Sequence, residues 1–79
     1  MSYPVVVSAY AAFLEKLDYL SESDLARVEE GFEFAAAAHA GQFRSSGDPY
    51  ITHPIAVAEI CASWKLDAEA LMAALMHDA

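Results

Sequence analysis

The sequence predicts an all-α fold, a small array of four helices. Apolar residues recur at spacings of three and four through most of the chain, which is the period of a helix buried on one face. Capping residues, glycine and proline mark the boundaries between four such segments. The 79 residues suffice for one domain at most, and their hydrophobic fraction of 57% exceeds the roughly 45–50% usual for soluble domains.

The first two helices are predicted from one-sided apolar stripes. In residues 5–19 the stripe consists of Val6, Tyr10, Phe13, Leu14 and Leu17. The second helix begins after Ser21, whose hydroxyl is placed to accept a hydrogen bond from the Asp24 backbone. Its stripe consists of Leu25, Val28, Phe32, Ala36 and His39. A histidine is therefore expected on its buried face, and Gly41 is expected to end it.

A loop and a third helix follow. Glycines and a proline within residues 41–52 are expected to exclude regular structure there. Thr52 or His53 is predicted to cap the third helix, with Pro54 in its first turn, where a missing N–H is tolerated. The predicted buried stripe of this helix consists of His53, Val57, Ile60, Cys61 and Trp64.

A fourth helix is predicted after Asp67, a natural N-cap. Its residues 71–76, LMAALM, are apolar around the whole circumference, which is typical of a helix buried on all sides. Because few residues remain to surround it, we expect residues 1–79 to be a single partial domain, the N-terminal fragment of a longer polypeptide. The surplus of apolar side chains also predicts homo-oligomers of this fragment, formed through the exposed apolar surface of the C-terminal helix.

Charge and composition exclude several functional classes. The formal net charge of −8, with four scattered Lys and Arg residues, argues against nucleic-acid binding, which requires clustered basic residues. No apolar run approaches the ~18 residues of a membrane span, and the N-terminus does not resemble a signal peptide. A single cysteine, Cys61, excludes an internal disulfide and fits a reducing compartment. We therefore predict a cytoplasmic protein with no membrane or nucleic-acid partner.

Polar groups at two helix ends predict a metal site. His53 begins the third helix and the pair His77-Asp78 closes the fourth, so antiparallel packing would bring them together. Two neutral imidazoles and a carboxylate suit Zn, Mn, Fe or Co, with positions left for water and substrate. The alternative is that each histidine is a hydrogen-bonded core residue. His39 is expected to be structural, orienting the loop or a ligand.

The loop itself carries candidate substrate-binding residues, Arg44, Ser45 and Ser46. A planar guanidinium binds phosphate or stacks on a base, and flanking glycines allow close backbone approach. The alternative is a solvated loop arginine.

The segments AHAGQFRSSGDPYITHPIAVAEI and KLDAEALMAALMHDA closely resemble the RelA/SpoT family of guanosine tetraphosphate and pentaphosphate enzymes. The likeness is to the N-terminal hydrolase domain of that family, an HD-domain phosphohydrolase, and it is strong over residues 34–79. The resemblance implies that His53, His77 and Asp78 bind a metal, usually Mn²⁺. It also implies that the loop from Arg44 to Ser46 holds the guanine nucleotide.

The implied reaction is removal of the 3′-pyrophosphate of (p)ppGpp by water, giving GDP or GTP and pyrophosphate. In the family a fourth metal ligand and a Glu-Asp pair follow beyond Ala79, so no catalytic residue is assigned in this chain. The isolated fragment is expected to bind metal weakly and not to turn over. Two alternatives stay open: an HD phosphohydrolase acting on another nucleotide, and a non-catalytic helical interaction module.

Overall fold

The computed structural model describes residues 3–77 of the chain, and these form four helices. Their bounds are α1 (Tyr3–Glu15), α2 (Glu22–Ala38), α3 (Thr52–Ser63) and α4 (Ala68–Met76). The prediction of an all-α array of four helices is therefore confirmed. The first helix ends four residues earlier than predicted, at Glu15, because its last residues give way to turns in which Leu20 N–H donates to the Leu17 carbonyl.

Side-chain caps begin α2 and α4 as the sequence predicted. The Ser21 hydroxyl accepts from Asp24 N–H at 3.2 Å, and the Asp67 carboxylate accepts from Ala70 N–H at 2.9 Å. The predicted cap of α3 is wrong, because the cap residue is Ile51, which makes no side-chain capping bond. The Thr52 hydroxyl instead donates backward to the Pro49 carbonyl at 2.8 Å.

Helix α4 lies against both α2 and α3, and α1 packs on α3. The buried core is drawn from all four helices and the turn after α1, and its largest members are Phe13, Leu17, Val28, Ile55, Leu71 and Leu75. Helices α2 and α4 approach closely at Gly31, where a Cβ built on the glycine would lie 3.4 Å from Met72 Cγ. This close contact positions the end of α4 relative to the rest of the fold.

Two predicted faces are wrong. Ile60 and Trp64 were expected on the buried stripe of α3 but are 55% and 71% exposed. The buried residues of α3 include Pro54, Ile55, Ala58 and Ala62. On α4, expected to be buried on all sides, Ala73 is exposed in the described part of the chain. Both corrections have the same physical reason. When most residues of a helix are apolar, its sequence does not specify which side will be covered by neighbouring helices.

None of the helices within residues 3–77 combines the length and the apolar character that crossing a membrane requires.

Candidate metal centre and nucleotide loop

The structure brings His53 and His77 together. His53 lies in the first turn of α3, and His77 is the residue directly after α4. Because the two helices form an antiparallel pair, their imidazole rings meet with centroids 5.8 Å apart and planes inclined by 62°. Neither ring is buried, so the space beside them is accessible from solvent. The convergence expected from the sequence is therefore present for these two residues.

The orientation of His77 is set by its own helix. Its Nδ1 lies 2.6 Å from the Ala74 carbonyl oxygen. A carbonyl only accepts hydrogen bonds, so Nδ1 carries the proton and donates it. The neutral ring then has its lone pair on Nε2, the form in which histidine binds metals. Main-chain carbonyls commonly orient metal-binding histidines in this way.

The two imidazoles fit a shared metal ion. Imidazole nitrogens bind metals such as zinc at roughly 2.0–2.1 Å, so the centroids of two rings on one ion lie roughly 4.5–6.5 Å apart, depending on the angle between the two bonds. The observed 5.8 Å falls in this range. The third predicted ligand, Asp78, lies outside the described residues. Among residues 3–77 no three His, Cys, Asp or Glu side chains form a metal-binding group.

Two further rings extend this pair into a row. The His53 ring lies 5.7 Å from the Tyr50 ring, and Tyr50 lies 4.6 Å from His39. Tyr50 therefore lies between His39 and His53. Its place between two histidines depends on how the loop folds back onto α2, which no local pattern reveals.

His39 is buried, with 6% of its surface exposed, as the apolar stripe of α2 predicted. Its Nδ1 lies 2.9 Å from Gln42 Oε1. Its Nε2 is buried without a hydrogen-bond partner among the described residues. An unsatisfied buried polar atom costs about 1–3 kcal/mol, so other contacts must hold the ring in place.

The loop between α2 and α3 contains no helix or strand over residues 41–51, as expected, but it folds back on itself as a small hairpin. Phe43 and Pro49 form an isolated antiparallel bridge. Arg44 N–H donates to the Asp48 carbonyl at 2.7 Å, and Gly47 N–H donates to the Arg44 carbonyl at 2.9 Å. Gly47 has φ +95°, as in three-residue hairpin loops that end in a left-handed glycine.

This hairpin displays Arg44, Ser45 and Ser46 at its exposed tip. Arg44 is the one Lys or Arg residue in the segment between α2 and α3. The Ser46 hydroxyl is 3.4 Å from Asp48 Oδ2, and at the base of the hairpin Tyr50 N–H donates to the Gln42 carbonyl at 2.8 Å. The chain therefore runs from a cationic tip through Tyr50 to His53.

Comparison with known proteins identifies similar sequences over the same region. The profile of the HD domain family matches residues 31–79. The chain is 58% identical over 60 residues to the bifunctional (p)ppGpp synthase/hydrolase SpoT of Escherichia coli K12, covering 76% of this chain and 8% of that protein. It is 51% identical over 61 residues to the guanosine-3′,5′-bis(diphosphate) 3′-pyrophosphohydrolase of Vibrio cholerae, covering 77% and 9%.

A third relative is the bifunctional (p)ppGpp synthase/hydrolase RelA of Mycobacterium tuberculosis, 51% identical over 57 residues, with 72% of this chain and 8% of that protein covered. The predicted resemblance to RelA/SpoT enzymes is thereby confirmed. The chain spans less than a tenth of the length of these relatives.

Proposed function

The chain belongs to the HD domain family, and from this premise we propose that it supplies part of a divalent-metal-dependent hydrolase acting on guanosine tetraphosphate and pentaphosphate. The proposed reaction removes the 3′-pyrophosphate with water and yields GDP or GTP and pyrophosphate. The observation that carries the proposal is the approach of the His53 and His77 rings to 5.8 Å. The names of the relatives, which are (p)ppGpp hydrolases, support the choice of substrate.

We assign metal binding to His53, His77 and Asp78, and we propose Mn²⁺ as the ion. When bound, such an ion lowers the pKa of a coordinated water and neutralises charge on the phosphate under attack. The Ala74 carbonyl holds His77 in the tautomer that leaves Nε2 as the ligand atom. His53 is held by the first turn of α3, where its N–H donates to the Tyr50 carbonyl at 2.9 Å.

We assign nucleotide binding to the hairpin tip. The Arg44 guanidinium is suited to stack on the guanine or to bind a phosphate in a bidentate manner. Ser45 and Ser46 add hydroxyl donors beside it. A chain with a net charge of −8 repels a polyphosphate in general, so binding depends on the local positive charges of Arg44 and the metal.

The test is Mn²⁺-dependent (p)ppGpp hydrolysis by the protein at its full encoded length. His53→Ala and His77→Ala are each expected to lower kcat/KM at least 100-fold. Replacing a residue that only supports a metal ligand typically lowers activity about 10–100-fold, and loss of the ligand itself should cost more. Ser8→Ala, an exposed change on α1, is the control and should leave activity unchanged. Undiminished hydrolysis in the two histidine variants would remove the proposed metal site.

Two measurements separate the remaining alternatives. A substrate panel in which adenine or deoxynucleotides are preferred would assign the protein to HD phosphohydrolases for another nucleotide. Calorimetric titration that reveals no saturable Mn²⁺ site would favour a non-catalytic helical interaction module. A cytoplasmic location remains part of the proposal and follows from the expected nucleotide substrate.

A further inference from the structure

His39 is joined to the base of the hairpin by two hydrogen bonds. Its ring Nδ1 donates to Gln42 Oε1 at 2.9 Å, and its carbonyl accepts from Gln42 N–H, also at 2.9 Å. His39 is buried and Gln42 is exposed. The pair therefore anchors the first residue of the hairpin to the buried end of α2.

Gln42, held by His39, is in turn hydrogen-bonded to the other side of the hairpin. Its carbonyl accepts from Tyr50 N–H at 2.8 Å, and the Tyr50 carbonyl in turn accepts from His53 N–H at 2.9 Å. The Tyr50 ring lies between those of His39 and His53, 4.6 Å and 5.7 Å from their centroids. His39 is therefore linked to His53 in two ways, through backbone hydrogen bonds and through a tilted and an edge-to-face ring contact with Tyr50.

We propose that His39 and Gln42 are positioning residues that fix Tyr50, and through it the ring of His53, for metal binding. This inference rests on the proposed function, because it assigns His53 as a ligand. Neither residue touches the ion itself. They keep the first turn of α3 and the base of the hairpin in one arrangement before the ion binds. Metal binding then does not have to supply the free energy that ordering these segments would cost.

The experiment measures Mn²⁺ affinity by calorimetry on the full-length protein. Gln42→Ala, an exposed change that leaves the core intact, is expected to weaken Mn²⁺ binding about 10-fold, the lower end of the effect of such supporting residues. His39→Asn retains a donor near the position of Nδ1 but loses the ring beside Tyr50, so its Mn²⁺ affinity should fall between those of the wild type and Gln42→Ala. His39→Gln places its amide nearer Nε2, loses both contacts and should weaken Mn²⁺ binding at least as much as Gln42→Ala.

Hydrogen exchange provides a readout that does not involve metal. In Gln42→Ala, peptides covering residues 42–53 should exchange faster, because the bond from Tyr50 N–H to Gln42 loses its support. The matched control is Val28→Ala. It truncates a buried residue of α2 about three turns before His39. It should destabilise the fold while leaving both Mn²⁺ affinity and exchange at the hairpin unchanged.

The outcomes are distinct. A wild-type protein without a saturable Mn²⁺ site removes the proposed function and this inference with it. A wild-type site with unchanged affinity in Gln42→Ala and His39→Gln overturns the inference alone. Equal loss of affinity in Val28→Ala would also overturn it, since the effect would then reflect general stability.

Discussion

At the scale of the residue, the side chains near the candidate centre are oriented by hydrogen bonds to neighbours close in sequence. His77 donates to Ala74 three residues earlier, and His39 donates to Gln42 three residues later. Each bond fixes which ring nitrogen carries the proton. The site therefore needs little long-range structure to select the tautomers of these two rings, although the approach of His53 to His77 does need it.

Tyr10 shows the opposite situation, a polar group with no such partner. Its ring stacks on Phe32 with centroids 3.9 Å apart, and its hydroxyl is buried without a hydrogen-bond partner in the described chain. Burial, and then the carboxylates of Glu29 and Glu33, raise the pKa of Tyr10 to about 12. Because the folded state favours the protonated phenol, ionisation of Tyr10 does not affect the free energy of unfolding below pH 10 and lowers it as the pH rises from 10 to about 12.

Tyr10→Phe is therefore expected to be neutral or slightly stabilising at pH 7, since it removes an unsatisfied buried hydroxyl while keeping the ring. It should also reduce the loss of unfolding free energy between pH 10 and 12. Denaturant titrations across that range test both points. Tyr19→Phe is a useful comparison, because the Tyr19 hydroxyl donates to the Leu66 carbonyl and its loss should destabilise at pH 7 by about 1 kcal/mol. A destabilised Tyr10→Phe at pH 7 would contradict the expectation.

Gly47→Ala tests the hairpin tip. Gly47 has φ +95°, a conformation in which a Cβ is strained by about 1–2 kcal/mol, although no atom would obstruct it. We expect the turn that presents Arg44 to shift, raising the KM for (p)ppGpp several-fold with little change in Mn²⁺ affinity. Steady-state kinetics and calorimetry measure the two quantities. An equal loss of both would show that the hairpin and the metal centre are not separable.

At the scale of the element, short-range hydrogen bonds determine where the helices begin, whereas the shapes of their surfaces determine how they pack. The caps at Ser21 and Asp67 are short-range and follow from sequence spacing. The contact between α2 and α4 depends instead on how Met72 and Met76 pack beside Gly31. A glycine inside a helix lowers its stability, and a Cβ added at Gly31 would lie no closer than 3.4 Å to these methionines.

Gly31→Ala and Gly31→Leu separate these two effects. The alanine Cβ would meet Met72 Cγ at 3.4 Å and Met76 Sδ at 3.5 Å, which are tight but acceptable contacts with flexible side chains. We expect Gly31→Ala to raise the unfolding free energy by about 0.5–1 kcal/mol through helix propensity. Gly31→Leu should lower it by about 1–3 kcal/mol through overpacking. Thermal and denaturant unfolding measure both, and a strongly destabilised Gly31→Ala would indicate that these methionines cannot move.

At the scale of the whole molecule, acidic charge and exposed apolar surface oppose one another. The net charge is −8, which keeps copies apart. Large apolar side chains are nevertheless exposed on three helices and at the hairpin, among them Val7, Phe34, Phe43, Ile60 and Trp64. Single exposed apolar side chains are normal, but contiguous apolar patches commonly mark contact surfaces, and Ile60 and Trp64 are four residues apart at the end of α3.

Self-association of the 79-residue chain stays a prediction. We expect dimers or larger assemblies at tens of micromolar, with more association at high salt because screening reduces the repulsion between acidic copies. The large exposed side chains near the end of α3 are now the expected contact, in place of α4. Trp64→Glu should shift the chain toward monomer in sedimentation experiments. Lys65→Gln, which also makes the net charge more negative by one, is the control for charge. A monomer under all these conditions would contradict the prediction.

The sequence by itself determined the local features of this protein: helix class, the caps at Ser21 and Asp67, the buried position of His39 and the residues of the candidate centre. These follow from spacing and from hydrogen bonds within a few residues, and the RelA/SpoT resemblance was carried by contiguous motifs. The sequence did not determine which face of α3 is buried, since both of its faces are apolar and burial depends on where α1 and α4 lie.

Only the tertiary structure decided how separate segments meet. The approach of His53 to His77, the hairpin that binds Gln42 to Tyr50, and the row of four rings each join residues distant along the chain. The approach of His53 to His77 depends on the packing of α4 against both α2 and α3, which is determined by the fit of side chains where these helices meet. The apolar periodicity of the sequence predicts which residues form helices with an apolar face. The fit between the helix surfaces determines which residues of different helices become neighbours.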